Sequence, residues 1–272
     1  MRRLRMVATV LALLAAGCGG GGSGGSGGET TSSAPVATTV PVPSTTAGST
    51  VPPTTLSLHI TDLHLVNAQD SDNGARVVLP AGVSTASVTL TGVPSPNQVV
   101  SVCQARELDH PLTTAVCRMP ANGEAVTVAL GAAASGVEIV QVGAASGGPG
   151  AVTLDDVTVR YAASTRDVSV RLPQIASGDS AGRPAFSLTP AGTTGSYSAT
   201  LSWTVIQAFG GSPSSGALEL VQAGAVAKRA DSGGQQAQLS GNVPTPAGDA
   251  GIRVQNVGAS AMISPKLVLV LP

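Results

Sequence analysis

The stretch Val157-Thr158-Val159-Arg160-Tyr161 alternates apolar with polar residues, and this pattern decides the fold class. Successive side chains of an extended strand point to opposite faces, so the two valines and the tyrosine share one face. The same period recurs between Gly- and Pro-containing breaks, in runs whose apolar members are Ala86, Val88 and Leu90, then Val126, Val128 and Leu130, then Val168, Val170 and Leu172, and then Ala199, Leu201, Trp203 and Val205. Such runs predict an all-β fold built from antiparallel strands.

The body of the chain also repeats itself. Four segments recur in the same order: 101–105 with 219–223, 115–118 with 225–228, 137–143 with 252–258, and 157–161 with 267–271. Repeats of domain size indicate two copies of one structural unit. The sequence therefore predicts two tandem β-sandwich domains of jelly-roll type, residues 56–164 and 165–272, after a signal peptide and a disordered linker.

Residues 1–17 have the layout of an export signal. Three arginines precede an apolar run over residues 6–16, and a membrane-spanning helix would need roughly 20 apolar residues. The segment LAAGC, residues 14–18, resembles the bacterial lipobox, after which the signal is cleaved and the Cys is acylated with diacylglycerol and palmitate. The resemblance implies a lipid anchor on Cys18 at the extracytoplasmic face of the cell membrane. The alternative is an ordinary signal peptide with an unmodified Cys18.

Residues 18–55 are expected to form a tether. After Cys18 they are Gly/Ser-rich and then Thr/Ser/Pro-rich, with Glu29 as their one charge and with no aromatic residue. This composition does not bury enough apolar surface to fold. A flexible coil of this length averages roughly 35 Å from end to end, which suits a tether from the membrane to a folded domain.

The charge balance bears on the partners. The chain has 14 basic and 15 acidic residues, and loss of the three arginines of the signal leaves a formal charge of −4. A mildly acidic body without a basic run argues against nucleic acid as a partner. The expected partners are the membrane, through the N-terminal lipid, and a cell-wall glycan or a surface protein.

Two cysteines remain if Cys18 is acylated. Cys103 and Cys117 form an even pair in a chain expected outside the cytoplasm, so they are predicted to form a disulfide. In the repeat alignment they correspond to Val221 and Ala227, two apolar residues. The first domain would thus have a disulfide at the place where the second domain has two packed apolar side chains.

Residues 150–159, GAVTLDDVTV, resemble the last strand of galactose-binding-like jelly rolls, a group that includes several carbohydrate-binding modules. In that family the first Asp commonly helps to hold a structural calcium ion. The resemblance therefore implies calcium at Asp155 and no other cofactor. Its counterpart at residues 264–267 lacks both carboxylates, so a second calcium site is not expected. A turn at the entry to a strand is the alternative for Asp155 and Asp156.

A charged loop lies between the two body cysteines. Glu107, Asp109 and His110 occupy its tip, and the second domain turns back sooner. Binding residues concentrate on loops held by rigid scaffolds, so these three residues are candidates for ligand binding. An ordinary solvated loop is the alternative.

His59, Asp62 and His64 form a second polar group. The two histidines are five residues apart and point to opposite faces of a regular strand, so joint metal binding would need a bulge. The apolar phase shifts between Ile60 and Leu63, where a bulge fits. The simpler interpretation is that these residues face solvent. Residues 70–74, DSDNG, likewise match a tight turn better than a calcium loop.

The function predicted from these observations is a non-catalytic binding or structural module of the envelope. Three histidines and dispersed carboxylates give no nucleophile–base spacing, which argues against an enzyme. One alternative is a carbohydrate-binding accessory module, for which Phe186 and Phe209 would be the exposed stacking platforms because Trp203 is expected in the core. A hydrolase, or an inactive relative of one, is the third interpretation.

Overall fold

The alternating runs form strands throughout the described part of the chain. The structure is a computed structural model that describes residues 51–65, 74–96, 99–106, 108, 116–131, 134–142, 151–176, 183–192, 194–204, 215–243 and 249–272. These residues contain no α-helix, and all of their strand pairs are antiparallel. The predicted all-β fold is confirmed. Cys18 lies outside the described residues.

Sixteen strands are described. The first half of the body supplies β1 (Thr54–Leu65), β2 (Ala75–Val78), β3 (Thr85–Thr91), β4 (Val100–Ala105), β5 (Cys117–Arg118), β6 (Ala125–Ala129), β7 (Gly136–Gln141) and β8 (Val152–Ala163). The second half supplies β9 (Asp167–Arg171), β10 (Ala185–Thr189), β11 (Ser196–Thr204), β12 (Gly216–Gln222), β13 (Ala225–Ser232), β14 (Gln236–Asn242), β15 (Gly251–Asn256) and β16 (Ile263–Val270).

The strands form two eight-stranded sheets that face each other. Sheet A has the order β13-β12-β15-β10-β1-β8-β3-β6, and sheet B has the order β14-β11-β16-β9-β2-β7-β4-β5. The first half contributes β1-β8-β3-β6 to sheet A and β2-β7-β4-β5 to sheet B, which is the strand order of a jelly roll. The second half repeats this order with the sheets exchanged, since β9-β16-β11-β14 lies in sheet B.

The two halves are joined edge to edge. β1 pairs with β10 in sheet A, where Ile60 is opposite Phe186, and β2 pairs with β9 in sheet B, where Val77 is opposite Val170. All strands belong to one compact unit. Segments 56–164 and 165–272 therefore each supply eight strands, but they share both sheets.

One apolar core fills the space between the sheets. The alternating residues of both halves enter it, including Val159, Tyr161 and Trp203. Trp203 is 3% exposed, as its alternation predicts. Phe186 was expected as an exposed platform, and this prediction is wrong because the residue is completely buried where β10 joins β1. Phe209 lies outside the described residues.

Two glycines show how the halves correspond. A Cβ atom at Gly136 in β7 would collide with the carbonyl oxygen of Val77 in β2. A Cβ atom at Gly251 in β15 would lie 2.8 Å from the carbonyl oxygen of Phe186 in β10. Each glycine thus allows a neighbouring strand to approach closely at the same point of its jelly roll.

This correspondence corrects the register of the repeat. Cys103 of β4 pairs with Glu138, and Glu219 of β12 pairs with Arg253. Glu138 and Arg253 are each the second residue after the matched glycine, so Cys103 corresponds to Glu219. The alignment of Cys103 with Val221 is therefore wrong.

The outermost strand pair shows the same shift. Cys117 of β5 pairs with Cys103, and Arg229 of β13 pairs with Glu219. Cys117 therefore corresponds to Arg229 rather than to Ala227. The structure has the predicted Cys103–Cys117 disulfide in the first half, and the second half has an ion pair at the same place, with Arg229 Nη1 2.7 Å from Glu219 Oε1.

The alternation of inward and outward residues shifts by one position in the central strands β1 and β8. Asp62 has a φ of 55°, and the inward residues shift from Ile60 to Leu63 across it. No residue is inserted, because Thr61 pairs with Asp156 and Leu63 pairs with Leu154 in one continuous register. Both strands therefore turn two successive residues outward at the same point, where the sequence indicated a bulge in one strand.

Candidate functional site

The outer face of sheet A carries polar side chains at its centre. β8, β1 and β10 lie side by side in the middle of the sheet, with Thr158 opposite His59 and His59 opposite Ser187. Leu58 and Ile60, which flank His59 in β1, are completely buried. The strand alternation therefore turns His59 away from the core.

Four side chains make up what we call the His59 cluster: His59, Asp156, Thr158 and Thr189. The hydroxyl of Thr158 donates to Asp156 Oδ2 at 2.5 Å, and this oxygen lies 3.4 Å from His59 Nδ1. On the other side of the ring, Thr189 Oγ1 lies 3.4 Å from His59 Nε2. The imidazole is thus held between a carboxylate and a hydroxyl.

Asp156 keeps an unused acceptor. Its Oδ1 atom is buried and has no hydrogen-bond partner in the described part of the chain, whereas the side chain as a whole is 26% exposed. A buried carboxylate oxygen without a partner costs free energy. The hydrogen bonds of this carboxylate to the cluster therefore run through Oδ2.

The cluster has the hydroxyl–imidazole–carboxylate order that nucleophilic catalysis uses. In such sites the hydroxyl and the base are usually within about 2.6–3.2 Å of each other. Here the Thr189–His59 contact is 3.4 Å, and Thr158 Oγ1 also lies 3.4 Å from His59 Nδ1. His59 keeps 32% side-chain exposure on a sheet face. This geometry suits hydrogen bonding to a ligand better than proton transfer.

The other members of the predicted polar group make separate contacts. His64 Nδ1 lies 2.9 Å from Thr153 Oγ1. Asp62 Oδ2 accepts a hydrogen bond of 2.7 Å from the backbone N–H of Arg183. The structure therefore pairs His59 with a carboxylate of β8 rather than with Asp62 or His64. Residues 70–73 of the DSDNG segment lie outside the described residues.

Asp155, the calcium candidate, is an exposed residue of β8 at the phase change. It packs against Gly92, which has a φ of 82° and leaves no room for a Cβ atom, since that atom would lie 2.7 Å from Asp155 N. Among the described residues, no three His, Cys, Asp or Glu side chains are grouped as metal ligands. Calcium at Asp155 stays a prediction.

The cross-linked loop is described only at residues 104–106, 108 and 116. Glu107, Asp109 and His110 lie outside the described residues, so their role in ligand binding stays a prediction. The carbonyl oxygen of Leu108 accepts a hydrogen bond of 3.1 Å from Nη1 of Arg76 and another of 3.1 Å from Nη1 of Arg171. Leu108 therefore lies against the outer face of sheet B.

Sequence reasoning missed the buried charges beneath Leu108. Arg76 and Glu138 are each 2% exposed, and Arg76 Nε donates to Glu138 Oε1 at 2.8 Å. Burial raises the pKa of the Glu138 carboxyl, while its hydrogen bond and charge interaction with Arg76 act to lower that pKa. These residues occupy outward positions of their strands, where a charge is ordinary, so the sequence carried no signal of their burial.

The second half has a charge network one strand nearer the sheet edge, since its Glu219 corresponds to Cys103 and its Arg253 corresponds to Glu138. Glu219 is 3% exposed and contacts Arg229, Arg253 at 3.4 Å, and the side-chain N–H of Gln255 at 3.0 Å. Arg229 also binds Asp231 at 2.6 Å, and its hydrogen bond lowers the pKa of that carboxyl. This network lies on the outer face of sheet A, at the far end from β6.

Comparisons with known proteins found no match among protein-family models, curated proteins or solved structures. Within the described ranges, no helix has the length and apolarity to cross a membrane.

Proposed function

We propose that this chain is an exported, lipid-anchored cell-surface protein that serves as a non-catalytic binding or structural module of the envelope. The observation that carries the proposal is the order of its parts: a segment with the layout of an export signal and a lipobox-like end, a long Gly/Ser- and Thr/Ser/Pro-rich segment with one charge, and then a β-sandwich. The Cys103–Cys117 disulfide supports a location outside the cytoplasm, where such bonds persist.

Acylation of Cys18 tests the anchor directly. The wild-type chain should fractionate with membranes, and its first tryptic peptide should carry a diacylglycerol adduct in mass spectrometry. Cys18→Ser should move the chain to the soluble fraction without a change in melting temperature. A wild-type chain that is soluble and has a free Cys18 thiol would contradict the proposal.

A carbohydrate-binding accessory module is the second candidate, and the His59 cluster favours it. Its imidazole and hydroxyls provide the mixed donors and acceptors that recognise sugars. A glycan array probed with the purified chain tests this function, and binding that is lost in Asp156→Ala would support it. Binding to no glycan on the array would leave the structural role as the proposed one.

The calcium prediction has its own test. Chelation should lower the melting temperature of the wild-type chain and should leave that of Asp155→Ala unchanged, because the variant would lack the ligand. Equal melting temperatures of the wild-type chain with and without a chelator would remove calcium from the proposal.

A further inference from the structure

Hydroxyl groups cover the outer face of sheet A around the His59 cluster. In β3 every outward residue is Ser or Thr, and the neighbouring strands place further hydroxyls beside them; the set comprises Thr85, Ser87, Thr89, Thr91, Thr127, Thr158, Ser57, Ser187 and Thr189. Strands in a sheet are about 4.8 Å apart, and residues on one face repeat about every 7 Å along a strand. The face is therefore a regular array of hydrogen-bond donors and acceptors.

Arg160 is a positively charged residue that lies among these hydroxyl groups. It lies in β8 between Ser87 of β3 and Ser57 of β1, and its side chain is exposed. It makes no hydrogen bond or ion pair with any other residue that the structure describes. A guanidinium presents five N–H donors in a planar fork that matches a carboxylate or a phosphate. Arg160 is thus available to an anionic group on a ligand.

One carboxylate of the face is already engaged. Asp156 Oδ2 accepts the hydrogen bond of Thr158 and lies near the imidazole of His59. Asp156 Oδ1 is buried and is not part of the accessible face. The outward residues that flank Arg160 in β3 and β1 are neutral hydroxyls, and the exposed carboxylate of Asp155 lies further along β8.

The second half of the molecule shows that the fold does not require these residues. In the repeat, Thr158 and Arg160 of β8 correspond to Val268 and Val270 of β16. Val268, which pairs with Ser169 of β9, is 51% exposed, and Val270 is 39% exposed. The same scaffold thus carries apolar residues where the first half carries a hydroxyl and a guanidinium. The polar residues of the first half are therefore not required by the fold and are available to a ligand.

We propose that the outer face of sheet A around the His59 cluster binds an acidic glycan, a polyhydroxylated chain that carries carboxylate or phosphate groups. Arg160 binds the anionic group, His59 and the Ser and Thr side chains bind ring hydroxyls, and Asp156 positions His59 and Thr158 through its Oδ2. This inference rests on the proposed function, since it names the ligand of the binding module.

The experiment measures the affinity of the full-length chain, purified in detergent, for immobilised polymers. Polygalacturonate supplies carboxylates, poly(glycerol phosphate) supplies phosphates, and dextran supplies hydroxyls alone. One of the two anionic polymers should bind at least about tenfold more tightly than dextran, which is the effect of one charge-assisted contact. The polymer that binds identifies the anionic group. Binding should weaken as salt increases, because exposed charges are screened.

Variants test the site itself. Arg160→Gln should weaken binding to the preferred polymer about tenfold, and His59→Asn should weaken it about threefold, with melting temperatures near that of the wild type. Lys228→Gln is the matched control, because it removes an exposed cation of the edge strand β13 and should change binding by less than about twofold.

Several outcomes would overturn the inference. These are equal binding to dextran, no binding to any of the three polymers, and unchanged binding in a folded Arg160→Gln chain. If binding is strong but insensitive to both variants, this site is wrong while a surface-binding function stands. If Cys18 is not acylated and the chain is soluble, the proposed location fails even where polymer binding depends on Arg160.

Discussion

The two halves of the molecule hold corresponding strand pairs in different ways. In the first half, β4 and β5 are joined by the Cys103–Cys117 disulfide, whereas in the second half β12 and β13 are joined by the Glu219–Arg229 ion pair at the same register. β5 has two residues and β13 has eight. A two-residue edge strand forms few backbone hydrogen bonds with its neighbour. The disulfide therefore holds β5 to β4, whereas the longer row of backbone hydrogen bonds holds β13 to β12 in the second half.

The difference extends to the neighbouring charges. Arg76 and Glu138 have side-chain exposures of 2% and 3%, whereas Arg229 keeps 37% exposure beside Glu219. Charges that are buried on both sides depend on each other, because neither can return to water when its partner is lost. The first half therefore concentrates its stability in a few irreplaceable contacts, and the second half distributes it along a strand.

The largest expected effect is at Glu138. Glu138→Gln removes the carboxylate that faces buried Arg76 and should lower the free energy of unfolding by roughly 3–5 kcal/mol. Glu219→Gln makes the same chemical change in the charge network of the second half, and it should cost only about 1–2 kcal/mol because water can reach Arg229. Urea unfolding measures both values. Equal costs would show that the two charge networks are equivalent and would break the comparison.

The disulfide comes next. Replacing both Cys103 and Cys117 by Ala should lower the free energy of unfolding by about 3 kcal/mol, since the bond closes a loop with a sequence separation of 14 residues. Arg229→Gln, at the corresponding position, should cost about 1 kcal/mol or less. A reductant should reproduce the first effect in the wild-type chain and should leave the double variant unchanged. A stable reduced wild type would show that the short edge strand needs no cross-link.

The smallest expected effect concerns the two tyrosines, one from each half. Burial raises the pKa of Tyr161 to about 12 and also raises the pKa of Tyr197. A phenol with a raised pKa contributes stability that is complete below pH 10 and is lost as the pH rises toward 12, to a limit of about 2–3 kcal/mol. Absorbance titration of the phenolate should show both tyrosines ionising above their ordinary pKa.

Tyr161→Phe is the control for this titration. The Tyr161 hydroxyl is buried and has no partner in the described residues, so its removal at pH 7 should leave the free energy of unfolding unchanged or raise it by up to about 1 kcal/mol. The variant should also lose much of its alkaline destabilisation. A clear loss of stability at neutral pH would mean that this hydroxyl is hydrogen-bonded in solution.

Alternation predicted the fold class and the faces of the strands, because a half-buried strand needs an apolar residue at every second position. Trp203 and Tyr161 are in the core for this reason. The same period could not give the register of the repeat, since a shift of two residues leaves every side chain on its own face. This ambiguity is why Cys103 was matched with Val221 rather than with Glu219.

The candidate site was predictable only in part. The sequence singled out His59 and the Asp155–Asp156 pair, but His59 and Asp156 are separated by 97 residues and meet only because β1 pairs with β8. The burial of Phe186 likewise depends on the pairing of β1 with β10, a contact between the halves that no local pattern reveals. Residue periodicity specifies which way a side chain points, and topology decides what it touches.

Because the halves exchange sheets, equivalent strands of the two halves lie on opposite sides of the sandwich. Arg160 and its repeat counterpart Val270 lie on opposite sides of the sandwich, since β8 belongs to sheet A and β16 to sheet B. Two identical repeats would have given the outer faces of sheet A and sheet B the same set of side chains. Divergence of the two copies at these positions gives the two sides of the sandwich different surface chemistry, with a guanidinium on one side and an exposed valine on the other.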